Sequence, residues 1–212
     1  MPYLLAILLS VFTLTGCQSA YYSAMEKVGY HKRDIMVDRV EAAQDSQKDA
    51  QQELTSALEA LSAFTQFDGG ELESAYERIN DQYQQSEDAA TDVRDRIAAI
   101  EDVSEALFAE WQQELSLYTS SKLRRASEQK LKQTQASYQT MLKAMKQAEQ
   151  TMTPVLNTLR DNTLYLKHNL NASAVGSLQG EFASLEKDIR SAISQMNAAI
   201  AESDQFLSQL KQ

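Results

Sequence analysis

The sequence predicts an all-α protein: an elongated antiparallel coiled coil, or three-long-helix bundle, that follows an N-terminal lipoprotein signal peptide. Three observations predict it. Apolar residues recur at alternating steps of four and three along most of the chain, which is the spacing of a coiled-coil seam. Six glycines and two prolines in 212 residues leave little material for a turn-rich β fold. An uncharged apolar run opens the chain and ends beside its only cysteine.

The first element is the apolar run at residues 3–15, which reads YLLAILLSVFTLT. A membrane-spanning helix needs about 20 apolar residues, so this run better suits a secretory leader. It ends in a branched apolar residue, two small residues and the cysteine, and this motif resembles the bacterial lipobox. We therefore expect a signal peptide at 1–16 and a short lipidated tether at 17–21. The peptidase would read Leu14, Thr15 and Gly16, and the lipid would be attached to Cys17.

Acylation of Cys17 predicts where the mature chain resides. Acyl chains such as palmitate on this residue would hold the protein on a membrane, because two or more chains together anchor it stably. The residue after the cysteine is Gln18. An aspartate at this position would argue against transfer to the outer membrane. By analogy with lipoprotein sorting in Gram-negative bacteria, this predicts an outer-membrane lipoprotein that faces the periplasm.

Residues 22–212 are predicted to form a single helical coiled-coil domain with helices at about 22–66, 71–151 and 154–211. Gly69-Gly70 predicts the turn between the first two helices, since paired glycines allow the positive φ of a helix C-terminus. Thr153-Pro154 predicts the start of the third helix. The two seams that predict the first hairpin consist of Met36, Val40, Ala43, Gln47, Ala50, Leu54, Ala57, Leu61 and Phe64, then Leu72, Tyr76, Ile79, Tyr83, Ser86, Ala90, Val93, Ile97, Ile100, Ser104, Leu107, Trp111, Glu114 and Tyr118.

The register of the second seam fails after Tyr118 and resumes in a new phase at Leu131, so residues 119–129 form a register slip, a kink or a true break. These three alternatives stay open at the level of sequence. Further along, Gly176 and Gly180 loosen the pattern and suggest a flexible joint within the third helix.

Two stretches carry a resemblance to a known family: YYSAMEKVGYHKRDIMVDRVEAAQDSQKDAQQEL at 21–54 and LKHNLNASAVGSLQGEF at 166–182. They resemble an uncharacterised family of proteobacterial lipoproteins that is catalogued as domain of unknown function 2959. The resemblance extends over the mature chain and implies a helical envelope protein. It implies no activity, cofactor or catalytic residue.

The sequence contains no arrangement typical of a catalytic or metal site, and we expect neither an enzyme nor a cofactor. His31 is followed by Asp34, Asp38 and Glu41 at helical spacing, which could hold a metal ion only if a further ligand such as His168 approached it. A solvated helix face with salt bridges is the favoured interpretation of this group.

Charge is distributed unevenly along the chain. The net charge of -10 argues against nucleic-acid binding, which uses a basic face. Residues 68–114 carry 14 acidic and 3 basic side chains, whereas 122–146 carry seven basic and one acidic. The favoured interpretation is that these are solvated faces of opposite sign, which could pair within one bundle or between copies of the chain. Alternatively the second segment, the basic stretch, could contact lipid or a partner. Its basic residues are Lys122, Arg124, Arg125, Lys130, Lys132, Lys143 and Lys146.

These observations predict a scaffold or adaptor of the cell envelope that is held on the membrane through acylated Cys17. Its seams would offer a partner helix, or a second copy of the chain, a coiled-coil surface. Two alternatives remain: a module that associates with a membrane surface through the basic stretch, and a cell-wall tether that uses the penultimate Lys211.

Overall fold

The computed structural model describes residues 16–65 and 72–211. The signal-peptide prediction before residue 16 and the predicted turn at Gly69-Gly70 therefore lie outside the described residues. The described chain contains no strand, which confirms the all-α prediction. Its elements are helices α1 (Gly16–Lys27), α2 (Lys32–Thr65), α3 (Leu72–Glu114), a 3-10 turn (Leu115–Leu117), α4 (Ser121–His168) and α5 (Ala172–Leu210).

Helices α2 to α5 form an elongated antiparallel four-helix bundle. Helix α2 packs against α3 and α5, and α4 packs against the same two helices from the opposite corner. The longest helix, α4, has 48 residues and therefore measures about 72 Å. We call the end of the rod that contains residues 28–31, 115–120 and 211 the near end, and the opposite end the far end.

The coiled-coil seams form the core of this bundle. All nine positions of the first seam are buried. The second seam is buried from Ile79 to Leu107, but its last two positions, Glu114 and Tyr118, are exposed. Buried side chains from every long helix join one continuous apolar cluster. The seams are thus covered by the chain's own helices.

The predicted first helix, 22–66, is divided at residues 28–31. Gly29 adopts a φ of 83°, the left-handed conformation that a glycine reaches without a steric penalty. The N–H of Tyr30 donates to the carbonyl of Met25 at 3.0 Å, and the N–H of Gly29 donates to that of Glu26 at 2.9 Å. This is the Schellman pattern that ends a helix. The chain reverses here, so α1 forms a separate helix at the side of the bundle.

The predicted second helix, 71–151, is also divided, because the chain reverses at residues 115–120. Ser120 adopts an extended conformation, and its hydroxyl accepts a hydrogen bond from the N–H of Leu123, which caps the start of α4. Of the three alternatives for 119–129, the structure therefore shows a true break, a hairpin between α3 and α4. This break is why the bundle has four long helices where the sequence predicted three.

The predicted helix start at Thr153-Pro154 is wrong, since α4 continues through Pro154 to His168. Proline removes one helical hydrogen bond, at residue 150. Pro154 lies on the exposed side of α4, where water can reach that carbonyl, while its neighbours Met152 and Val155 are buried in the core. The predicted joint is wrong as well: Gly176 and Gly180 lie within α5, and the turn falls at residues 169–171.

Candidate functional site

A cleft of about 440 Å³ opens at the near end of the rod. Helices α2, α3, α4 and α5 all contribute to its walls, which carry both charged and apolar groups. Its lining residues are His31, Lys32, Arg33, Leu107, Glu110, Trp111, Glu114, Lys130, Thr134 and Leu210.

Lys32 connects three segments beside this cleft. Its Nζ lies 2.9 Å from Glu110 Oε1 on α3 and also contacts Glu26 on α1, and its side chain is only 11% exposed. Burial alone would lower the pKa of Lys32, but the hydrogen bonds to the two carboxylates raise it above its ordinary value. The hydrogen bond from Lys32 holds the pKa of Glu26 below its ordinary value, against the opposing effect of burial. The ammonium group therefore joins α1 to the bundle.

A second contact holds α1 on the bundle. The Tyr22 hydroxyl donates to Asp102 Oδ2 at 2.5 Å, and the Tyr22 ring is buried. Burial, and then the Asp102 carboxylate, raise the pKa of Tyr22. Of the lipidation residues, Leu14 and Thr15 lie outside the described residues, and Gly16 and Cys17 form the first turn of α1. The polar contacts of Tyr22 and Lys32 thus connect the predicted lipid attachment to the rod.

Two further hydrogen bonds connect the helices around the cleft. Trp111 Nε1 donates to Ser127 Oγ at 2.8 Å, which ties the end of α3 to the beginning of α4. Lys130 Nζ donates to the carbonyl of Gln209 at 3.2 Å, which ties α4 to the end of α5. These contacts fix the α3–α4 connection relative to the bundle.

The acidic residues that follow His31 contact three different partners. The Asp34 carboxylate accepts from the His31 backbone N–H at 3.2 Å, as in a capping box. Asp38 accepts from the Tyr30 hydroxyl, and Glu41 pairs with Lys211 at 2.7 Å. His168 lies at the far end of the rod. Within residues 16–65 and 72–211, no group of three or more His, Cys, Asp or Glu side chains could hold a metal ion.

The structure divides the basic stretch into two parts. Lys146 pairs with Glu101 at 2.5 Å, Lys132 pairs with Glu128 at 2.9 Å, and Lys130 takes part in the cleft. Lys143 is exposed on α4. The remaining three basic residues are exposed on the first turn of α4 and form no salt bridge with any described residue. They are Lys122, Arg124 and Arg125.

Apolar side chains accompany these three basic residues. Leu117 is 77% exposed and Leu123 is 58% exposed, and Tyr118 between them is also exposed. We call residues 117–125 the tip. The heptad spacing predicted a seam position for Tyr118, and neither Leu117 nor Leu123 lies on that seam. A signal was present, since Ser120 stands at capping distance before Leu123, as expected for a helix start.

Comparison with known proteins identifies the family of the chain. The family model described as protein of unknown function (DUF2959) matches residues 21–210. The chain belongs to this family. No curated protein and no solved structure matches it. Among the described residues, no helix is both long enough and apolar enough to cross a membrane.

Proposed function

We propose that this DUF2959 protein is a lipid-anchored scaffold or adaptor of the bacterial cell envelope, held on the outer membrane through acylated Cys17 and facing the periplasm. It acts by binding and positioning, without catalysis. The lipobox-like motif at residues 14–17 and the absence of charge from 3–15 support the anchor.

One structural observation carries the proposal: the lipid attachment and the far end of the rod are widely separated. Helix α1, which contains Cys17, is attached beside the near end through the contacts of Glu26 with Lys32 and of Tyr22 with Asp102. The bundle extends from there through helices of 34 to 48 residues, and therefore by about 50 to 70 Å. Such a rod holds whatever binds it at a defined distance from the membrane.

The burial of the seams restricts where a partner binds. The first seam and most of the second are buried by helices of the same chain, so a partner helix or a second copy that used them would have to open the bundle. We therefore assign partner binding to the outer helix faces and the two ends. Lys211, which the cell-wall alternative would use, forms an exposed ion pair with Glu41 on α2.

Photo-cross-linking of the intact lipidated protein in cells tests this function. Photoreactive residues at exposed positions Arg33, Arg94 and Arg190 sample the near end, the middle and the outer face of α5, and buried Ile100 serves as the matched control. We expect a reproducible protein adduct at one or more exposed positions and none at Ile100. Adducts only to lipid or to the chain itself would contradict the adaptor function.

Fractionation tests the anchor separately. Cys17→Ala removes the proposed acyl acceptor, so we expect the variant to leave the outer-membrane fraction and to retain its signal peptide by mass spectrometry. A variant that is processed and located as the unaltered protein would contradict lipid anchoring without bearing on the adaptor function.

A further inference from the structure

The tip lies at the near end of the bundle and has an unusual surface. Leu115 is buried just before it, and the bond from Trp111 to Ser127 closes the hairpin behind it. Leu117, Tyr118 and Leu123 nevertheless face outward. An apolar side chain that stays in water gains no stability from burial, so a group of exposed apolar side chains in one short segment indicates a contact surface.

The charge of this region is opposite to that of the chain. Residues 115–127 contain three basic side chains and no acidic one, although the chain as a whole carries -10. Farther along α4, Lys132 and Lys146 are neutralised by Glu128 and Glu101. None of the three basic residues of the tip forms a salt bridge with a described residue, although Arg124 interacts electrostatically with Glu128 one helical turn away. The charges of Lys122 and Arg125, and part of that of Arg124, are therefore available to an anionic surface.

We propose that the tip inserts into the headgroup layer of an anionic membrane. Leu117, Tyr118 and Leu123 enter the boundary between headgroups and acyl chains, and the three basic side chains bind lipid phosphates. Protein segments that contact the membrane interface typically combine leucine and tyrosine with lysine and arginine, and they bury their apolar groups about 5–10 Å deep. Overall acidity does not prevent this contact, because screening limits the field of the acidic body to about 10 Å.

The position of α1 supports a membrane as the occupant. This step rests on the proposed lipid anchor at Cys17. Cys17 and Lys27 are ten residues apart on α1, so the attachment lies within about 15 Å along the helix of the near-end turn. Because Tyr22 contacts Asp102, which lies fifteen residues before Leu117, α1 runs back along α3, and acyl chains on Cys17 would keep the near end of the rod, with the tip, beside the bilayer. Some anchors combine a lipid with a basic patch, and the tip would add such a patch to the acyl chains on Cys17.

The proposal is tested on the whole lipidated protein, purified from cells and reconstituted into vesicles of phosphatidylethanolamine and phosphatidylglycerol. Thr119→Cys places an environment-sensitive fluorophore in the tip without altering its apolar or basic side chains. Ala183→Cys places the same label on an exposed position of α5 as the control. We expect nitroxide lipids to quench the fluorophore at residue 119 and not the one at 183.

Charge variants distinguish binding through the basic residues of the tip from an effect of the net charge of the protein. We expect Lys122→Gln/Arg124→Gln/Arg125→Gln to lower the insertion equilibrium about 100-fold, and replacing the phosphatidylglycerol by phosphatidylcholine to have a similar effect. Lys143→Gln/Lys167→Gln/Lys187→Gln removes the same charge from exposed positions outside the tip and leaves insertion within about twofold of the unaltered protein. Equal losses in both triple variants would overturn the proposal.

Intact-mass measurement of Cys17 distinguishes failure of the anchor from failure of the tip. An acylated protein that binds vesicles while the label at 119 remains in water overturns the insertion and leaves the anchor intact. An unacylated protein whose label at 119 is quenched supports the insertion and contradicts the anchor. A cross-link from residue 119 to a protein in cells, without lipid adducts, would assign the tip to a protein partner and overturn the membrane contact.

Discussion

The middle of the rod and its tip are built from the same helix, α4, and differ in what they do with the same residue types. In the middle, Leu142 is buried and Lys146 is paired with Glu101. At the tip, Leu123 is exposed and Arg124 and Arg125 form no salt bridge with described residues. Residue type therefore does not determine which side chains of α4 are buried and paired and which are exposed. The position relative to the ends of the bundle does.

The largest expected effect compares two leucines of α4. Leu159→Ala removes a side chain that is 1% exposed, and we expect the free energy of unfolding to fall by about 2–5 kcal/mol because a cavity remains. Leu123→Ala, at the tip, should change it by less than about 0.5 kcal/mol. Chemical denaturation of both variants measures this. A loss at Leu123 as large as that at Leu159 would place the tip leucine in a packed environment.

The next effect concerns ion pairs at the near end and in the middle. Lys32→Met leaves Glu26 and Glu110 half-buried without their shared cation, and we expect the free energy of unfolding to fall by about 1–2 kcal/mol. Lys48→Met removes an exposed partner of Asp45 on α2 and should cost less than about 0.5 kcal/mol. Chemical denaturation measures both changes in the free energy of unfolding. Equal losses would show that the ion pairs of Lys32 contribute no more than an exposed surface pair.

A smaller effect, of opposite sign, is expected inside the middle of the bundle. Gln47 is 1% exposed, and neither polar atom of its amide has a hydrogen-bond partner. Replacing it by methionine removes the cost of burying an unpaired amide, so we expect Gln47→Met to raise the free energy of unfolding by about 1 kcal/mol.

Gln44 on the same helix is the matched control for this substitution. Its Nε2 donates to Asp204 at 2.8 Å and to the carbonyl of Ile200 at 3.2 Å. We therefore expect Gln44→Met to lower the stability of the protein and Gln47→Met to raise it. Thermal unfolding of both variants measures this. Destabilisation by Gln47→Met would indicate that a water molecule or a partner satisfies its amide.

The middle of the rod was predictable from the sequence and the near end was not. Every heptad position from Met36 to Phe64 is buried, because a seam that repeats over many turns is a non-local signal with strong redundancy, although the spacing did not identify buried Gln44 and Ser46. The near end depends on single residues. Gly29 ends α1 through one positive φ, and Ser120 caps α4 through one hydroxyl. The heptad pattern continues through Tyr118 and predicts a continuous helix there. The capping signal of the single residue Ser120 was too weak to contradict it, although the chain reverses at this point.

The candidate site was hidden for the same reason. Recognition of Lys32 as a link required Glu26 and Glu110 to meet across α1 and α3, and that meeting depends on the turn at Gly29. The basic stretch was identified as one unit, but the reversal at 115–120 leaves part of it on the body of the bundle and part at the tip. Charge along the sequence showed where basic residues lie, and only the packing of α4 beside α3 showed which of them are paired.

The smallest expected effect is the pH dependence of the contact between α1 and the bundle. The pKa of Glu26 lies below its ordinary value of 4.5 when the chain is folded. Its contribution to stability is therefore fully present above pH 4.5 and declines as the pH falls through the folded pKa. The pKa of Lys32 is raised, so the ammonium group stays charged throughout this range.

The free energies of unfolding of the unaltered protein and of Glu26→Gln isolate this contribution. We expect a difference of less than about 1 kcal/mol at pH 7, which shrinks towards zero as the pH falls below 4.5. Glu105→Gln, at an exposed position of α3 without a salt bridge to any described residue, should show no such trend. If the difference for Glu26→Gln stayed constant with pH, the contact would be one of packing. The near end would then resemble the middle of the rod, and the distinction between the two regions would be confined to the tip.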